Sequence, residues 1–219
     1  MGKNKKKKPL VSIITPHFNN TDLFEVTLKS IKEQTYKNIE HVVVDDGSRG
    51  EELIALQKLQ EKYGFTLEIL PENRGVSFAR TTAAVKSKGE YILPLDADGD
   101  NMQNNYVERL VETAVALGSS FSPFYSDVEL FGEMKQNFER PAWSVRGMLA
   151  GPGHTPTNSS LYSREAFEAV GSYDSGLGIW VDMEFWISMM LKGYKGYKVD
   201  ETKFFYNIRK KSVSDHFDK

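Results

Sequence analysis

The chain has 219 residues, 40 % hydrophobic and 26 % charged, which suits one globular domain with a sizeable core. Its 28 Lys and Arg against 30 Asp and Glu leave a formal net charge of −2, so no overall basic field exists to hold a nucleic acid, and an anionic ligand must be bound locally. The lack of cysteine excludes disulfides, thiolate metal sites and cysteine nucleophiles.

The chain opens on a lysine block, Lys3 and then Lys5 to Lys8. Residues 1–9 read as a disordered, solvated basic tail. The alternative reading is attraction to anionic lipids, at about 1 kcal/mol per basic residue near the surface, which would hold the protein beside a membrane-borne acceptor. Apolar runs such as Val42 to Val44 are too short to cross a bilayer, and the lysines precede strand-like residues rather than a signal-peptide core. The expected location is cytoplasmic, or peripheral to the inner face of a membrane.

Val11 to Thr15 is short and β-branched and reads as a buried strand stopped by Pro16. From Thr21, an expected N-cap, Phe24, Leu28 and Ile31 fall on one helical face. A strand His41 to Val44 follows, then a helix Glu51 to Tyr63 with leucines at 53, 56 and 59, and a strand Thr66 to Leu70. A helix near 77–87, a strand Tyr91 to Leu95 and a helix near 104–117 continue the alternation, which implies a mainly parallel sheet covered by helices. Beyond it lie a strand-like stretch Phe121 to Gly132, a short helix near 144–150 and a Gly- and Pro-rich loop from Gly151 to Pro156 that reads as mobile. Helices near 164–170 and 182–191 and a strand Lys203 to Tyr206 complete the chain.

Four polar clusters follow strands: Pro16 to Asn20, Asp45 to Ser48, Asn73 to Gly75 and Asp96 to Asp100. Strand ends are where an α/β sheet presents its ligand site. The first turn lacks Gly-x-Gly-x-x-Gly and the chain has no P-loop, so a diphosphate needs another partner. Asp96-Ala97-Asp98 supplies one, because two carboxylates in an extended turn bind a hard cation, Mn²⁺ or Mg²⁺, whose open positions accept phosphate oxygens. An isolated Asp-x-Asp is more often a solvated turn; its place after an apolar strand favours a site.

Taken in order, VSIITPHFNN (11–20), VVVDDGS (42–48), NRGVSFAR (73–80), YILPLDAD (91–98) and WVDMEFW (180–186) resemble the successive motifs of family 2 glycosyltransferases with the GT-A fold. The resemblance implies an α/β, Rossmann-like, mainly parallel sheet flanked by helices, with a small C-terminal acceptor-side region. It implies one GT-A domain over 10–219, whose residues 10–100 bind the nucleotide and 101–219 face the acceptor. Thr15, Pro16, His17 and Asn19 would line the nucleoside pocket and Asp46 would hydrogen-bond the base, most commonly uracil. Asn73, Gly75, Arg80 and Ala97 would stand at the donor, Asp96 would touch the ribose or the metal, and Asp98 would be the principal metal ligand.

Asp182 would be the general base that takes the proton of the acceptor hydroxyl. Val181 departs from the family, which usually carries a glutamate there, and Glu184, two positions after Asp182 and so about 200° from it around a helix, does not simply replace that glutamate. Trp180 and Val181 would wall the sugar or acceptor pocket, and His154 would contact phosphate or add a metal ligand. Tyr206 and Arg209, ahead of Ser212 and Ser214, resemble the family's Tyr-Arg pair, with Arg209 reaching the diphosphate.

The Gln-x-x-Arg-Trp element of processive synthases is absent, which favours transfer of a single sugar. The expected reaction is inverting transfer from a nucleotide sugar, a UDP-sugar by the family's habit, to a hydroxyl of a glycan, lipid-linked or protein acceptor in cell-surface glycan or polysaccharide synthesis. Two alternatives remain: a non-catalytic nucleotide-sugar-binding module, hinted at by Val181, and a sugar nucleotidyltransferase, opposed by a first turn that is neither glycine-rich nor basic.

Overall fold

A computed structural model describes residues 8–150 and 155–209. Strand β1 (Val11–His17) lies at the centre of a five-stranded sheet, parallel to β2 (Ile39–Asp45) on one side and β4 (Tyr91–Pro94) on the other. β3 (Thr66–Ile69) extends it beyond β2, and β8 (Tyr162–Ser163) closes it antiparallel to β4, giving the order β3-β2-β1-β4-β8. Helices α1 (Thr21–Lys32), α2 (Glu51–Tyr63) and α3 (Val76–Lys86) are the crossovers between the parallel strands. The sheet is therefore mainly parallel, and its strands are apolar on both faces because helices cover both.

Pro16 does not end the first strand. Ile14 accepts from Leu95 on the β4 side, so the even residues of β1 point their backbone groups toward β4. β4 pairs with β1 only as far as Pro94, opposite Ile14, so Pro16, which has no N–H to give, lies beyond the ladder on that side. Thr21 is likewise the first helical residue rather than the cap: Asn20 precedes it, and the Thr21 hydroxyl donates to Glu52 on α2 at 2.6 Å.

The second half builds a separate sheet, order β5-β9-β6-β7, from β5 (Asn101–Met102), β6 (Phe121–Gly132), β7 (Gln136–Phe138) and β9 (Lys195–Ile208). α4 (Tyr106–Leu117) packs on it, and α5 (Val145–Leu149), α6 (Arg164–Val170) and α7 (Val181–Leu191) flank the first sheet. β9 is far longer than the expected 203–206: its first half, KGYKVDE, mixes a glycine, lysines and adjacent acids along a largely exposed strand, which hides the pattern. β5, β7 and β8 are too short to carry a period and were not visible in the sequence.

The basic tail is tied down at its end. The backbone carbonyl of Lys8 accepts from Asn38, that of Pro9 accepts from the Tyr36 hydroxyl, and the Lys8 ammonium lies 5.2 Å from the Tyr36 ring. Lys3 and Lys5 to Lys7 lie outside the described residues, as do His154 and the serines at 212 and 214. Among the described residues no helix is long and apolar enough to cross a membrane.

Candidate active site

The turns that end β1, β2 and β4 meet at the carboxyl edge of the first sheet. In the turn Asp45-Asp46-Gly47-Ser48, Gly47 holds φ 84°, and a Cβ there would sit 2.7 Å from the Glu72 carbonyl carbon. Only glycine lets this turn close on the turn before α3. Asp46 locks the contact, its two oxygens accepting from the backbone N–H groups of Arg74 and Gly75 at 2.7 and 2.8 Å. Asn73 stands exposed beside them, and Asn19 donates its backbone N–H to Ser48 Oγ at 2.9 Å.

Thr15 and His17 do not line an open pocket. Being odd-numbered on β1, they share the face of Val43 and Asp45 and are buried under α1. The Thr15 hydroxyl pairs with His41 at 2.9 Å, and His17 Nδ1 pairs with Asp45 at 2.8 Å while its ring lies against Phe24. Pro16 is on the opposite face with Asp46, where α3 begins.

Asp96 and Asp98 stand at the end of β4 in contrasting company. Asp96 Oδ1 accepts from Arg80 Nη2 at 2.8 Å, and its Oδ2 accepts from Asn158 Nδ2 at 2.5 Å. The turn is held from behind, since the Ala97 carbonyl accepts from Asn20 and the Asp96 and Asp100 carbonyls accept from Thr27. Among the described residues Asp98 Oδ1 is buried with no hydrogen-bond partner, and its Oδ2 meets Arg209 Nη2 at 3.4 Å. Burial, reinforced by the Asp96 charge and opposed by Arg209, pushes the Asp98 carboxyl up to about 6. Burial and the Asp98 charge raise Asp100 well above the usual carboxylate range, with its Oδ2 also unpartnered.

Gly99 lets β9 reach this turn. It holds φ 86°, and a Cβ on it would lie 2.7 Å from Asn207 Nδ2, the amide that donates to the Asp98 carbonyl. The Asn207 backbone N–H donates to Asp100 Oδ1 at 2.8 Å, and two residues later Arg209 meets Asp98. Arg209, expected at the diphosphate, lies far from the acidic motif along the chain, and β5–β9 pairing brings it to Asp98.

Arg80 on α3 joins this cluster to α7. Its Nη1 donates to Asp182 Oδ1 at 2.6 Å while Nη2 holds Asp96, although the residues are 102 and 16 positions away in sequence. Burial lowers the basicity of Arg80, but the Asp182 and Asp96 carboxylates outweigh it and keep the guanidinium firmly charged. Burial raises the Asp182 carboxyl, and Arg80 pulls it back. Asp182 retains 29 % side-chain exposure, and no hydrogen bond occupies its Oδ2 among the described residues.

Trp180, the last residue of a 3-10 turn (Gly178–Trp180), is 45 % exposed beside it. Val181 is not a pocket wall: it is 3 % exposed, packed in the core with Phe185, Trp186 and Met189. The first turn of α7 aims residue 181 at the sheet and residue 182 at the cleft. Asn158 and Tyr173, which the sequence did not single out, also belong here; each follows a loop without periodicity, and nothing local marks it.

Among the described residues no three His, Asp or Glu side chains form a ready cation cage. The donor set nevertheless fits a hard divalent ion, because Asp98 offers a buried, unpartnered carboxylate oxygen and Mg²⁺-type sites use one or two carboxylates plus substrate phosphates and water. Asp96, with both oxygens committed, offers less. His154 lies outside the described residues.

A mainly parallel sheet with an acidic turn at its carboxyl edge, joined to a second small sheet, defines a GT-A-type α/β protein. Solved structures agree. S. aureus TarS residues 1–349 in complex with UDP-GlcNAc superposes with a TM-score of 0.76 at 17 % identity, over 94 % of this chain and 60 % of that one. The mannosyltransferase PcManGT from Pyrobaculum calidifontis, in complex with GDP-Man and Mn²⁺, gives 0.72 at 19 % identity over 96 % and 60 %.

Residues 12–171 match the model of Glycosyl transferase family 2, and the chain belongs to that family. It is 25 % identical over 236 residues to the putative teichuronic acid biosynthesis glycosyltransferase TuaG of Bacillus subtilis, covering 95 % of this chain and 83 % of TuaG. Against two further curated relatives it spans only 15 % and 32 % of their length.

Proposed function

We propose that the protein is an inverting glycosyltransferase moving one sugar from a nucleoside-diphosphate sugar, with UDP as the nucleotide, to an acceptor hydroxyl in cell-surface glycan or polysaccharide synthesis. The observation that carries this reading is Arg80, which ties Asp96 of the donor-side motif to Asp182 at the head of α7. Donor-side and acceptor-side carboxylates thereby share one cleft. The UDP-GlcNAc complex of TarS, the GDP-Man and Mn²⁺ complex of PcManGT and the naming of TuaG support the same reading.

In this mechanism Asp182 Oδ1 stays on Arg80 and the unoccupied Oδ2 takes the proton of the acceptor hydroxyl. The acceptor oxygen forms its bond to the anomeric carbon as the bond from that carbon to the diphosphate breaks, and the electron pair leaves with the nucleoside diphosphate. Attack from the face opposite the leaving group inverts the configuration. Asp98 would hold a divalent cation, Mn²⁺ or Mg²⁺, whose charge offsets that of the departing diphosphate. Arg209 adds a second positive group beside Asp98. The exposed Trp180 ring offers an apolar face to the C–H side of a pyranose. The base is assigned to the turn where Asp46 holds Arg74 and Gly75.

A panel of nucleotide sugars tested for thermal stabilisation with Mn²⁺ identifies the donor, because stabilisation grows with the logarithm of ligand concentration over Kd. A UDP-sugar is expected to give the largest shift, and no stabilisation by any member would overturn the reading. Asp182→Asn is expected to lower transfer by about 1,000-fold while leaving UDP binding intact.

A further inference from the structure

We propose that Arg80, seated on Tyr173, is a positioning residue for Asp182 rather than a ligand of the donor phosphates. The inference rests on the reading of Asp182 as the base. The Arg80 side chain is 2 % exposed, each Nη nitrogen is engaged by a carboxylate, and among the described residues Nε is buried without a hydrogen-bond partner. Little of the guanidinium therefore faces a ligand in the cleft. What it does instead is set the spacing of Asp96 and Asp182 by one rigid planar group, so the geometry of the reaction does not depend on two separate loops.

Tyr173 holds that planar group in place. Its ring centroid lies 5.3 Å from the Arg80 guanidinium carbon, within cation–π range. Its backbone N–H donates to Thr81 Oγ1 at 3.1 Å, next to Arg80 on α3. Its ring stacks on Phe185 at 4.1 Å between centroids, three residues after Asp182 on α7. Its hydroxyl pairs with that of Tyr162 at 2.9 Å. One buried aromatic side chain thus touches the helix that carries the cation and the helix that carries the base. The contacts leave Asp182 Oδ2 as the oxygen directed to an incoming hydroxyl, with Oδ1 fixed.

The test uses the full chain, UDP with Mn²⁺ as the calorimetric probe, and UDP release from the UDP-sugar that stabilises the protein most. Arg80→Lys keeps a cation that cannot span two carboxylates, and turnover is expected to fall about 100-fold with UDP affinity within about threefold of the parent. Tyr173→Leu is expected to lose about tenfold in turnover at unchanged UDP affinity, and Tyr173→Phe, which keeps the ring, to recover most of that loss.

Parent-level turnover in Arg80→Lys, or a loss of UDP affinity matching its loss of turnover, would overturn the proposal. If Arg80→Lys shows no cooperative thermal transition, the Tyr173 pair decides: Phe above Leu supports the seat, and equal turnover refutes it. Asp182→Asn with UDP release at the parent rate would defeat the base assignment itself, whatever the Arg80 variants do.

Discussion

Asp96 and Asp98 are two residues apart at the end of one strand, yet one is saturated with donors and the other is nearly bare. Asp96 receives Arg80 and Asn158, whereas Asp98 keeps an unpartnered buried oxygen and a long contact to Arg209. The difference teaches that the paired aspartates of this motif divide their labour. The first is tied into the frame, and under the proposed function the second would hold the cation. The same division separates Val181, packed in the core, from Asp182, turned to the cleft.

That contrast can be broken at three points. Val181→Glu would restore the acid expected beside the base but would place it among apolar side chains. An unpaired buried carboxylate should destabilise the protein by about 3 kcal/mol, which thermal unfolding would register as a fall in Tm of roughly 6 to 12 °C. A variant as stable as the parent would mean that residue 181 can turn outward.

Asp96→Asn should cost about 2 kcal/mol without any ligand, since it leaves Arg80 with one carboxylate; partial exposure of Asp96 keeps the loss below that of a fully buried pair. Asp98→Asn should do the reverse. It removes an unsatisfied charge, so ligand-free stability should hold or rise by about 1 kcal/mol, while Mn²⁺-dependent UDP affinity falls at least about tenfold by calorimetry. Equal effects at both positions would erase the distinction.

The smallest effect sets the conditions for these measurements. His41 lies under α1 between Phe24 and Phe65, and burial pushes it down to about 3. The unfolded chain therefore binds a proton that the folded chain refuses, so stability is fully present above the ordinary value near 6.5 and declines as pH falls toward 3. Because part of the residue is exposed, a loss on the order of 1 kcal/mol is expected, and His41→Gln should flatten the decline in Tm below pH 6.5.

Much of the fold was legible because its elements are long and periodic. Helix α2 begins and ends at Glu51 and Tyr63, and β6 at Phe121 and Gly132, as composition and turn residues indicated. β5, β7 and β8 were not legible, because two or three residues of pairing carry no period and owe their state to the partner strand. Among site residues, the Asp96 and Asp98 turn announced itself by following an apolar strand. The burial of Thr15 and His17 was not legible, because a strand's alternation tells which residues share a face but not which face a helix covers.

By itself the amino-acid sequence determined the order of the longer strands and helices, the acidic turn and the family, since these depend on local propensity and on motif order. Only the tertiary structure decided which neighbouring residue does what. Whether Asp96 is paired and Asp98 nearly bare, whether Val181 is core and Asp182 faces the cleft, and which carboxylates Arg80 meets are set by partners up to 111 residues away in the chain. Packing brings those partners within hydrogen-bond reach, and no local pattern records where they will meet.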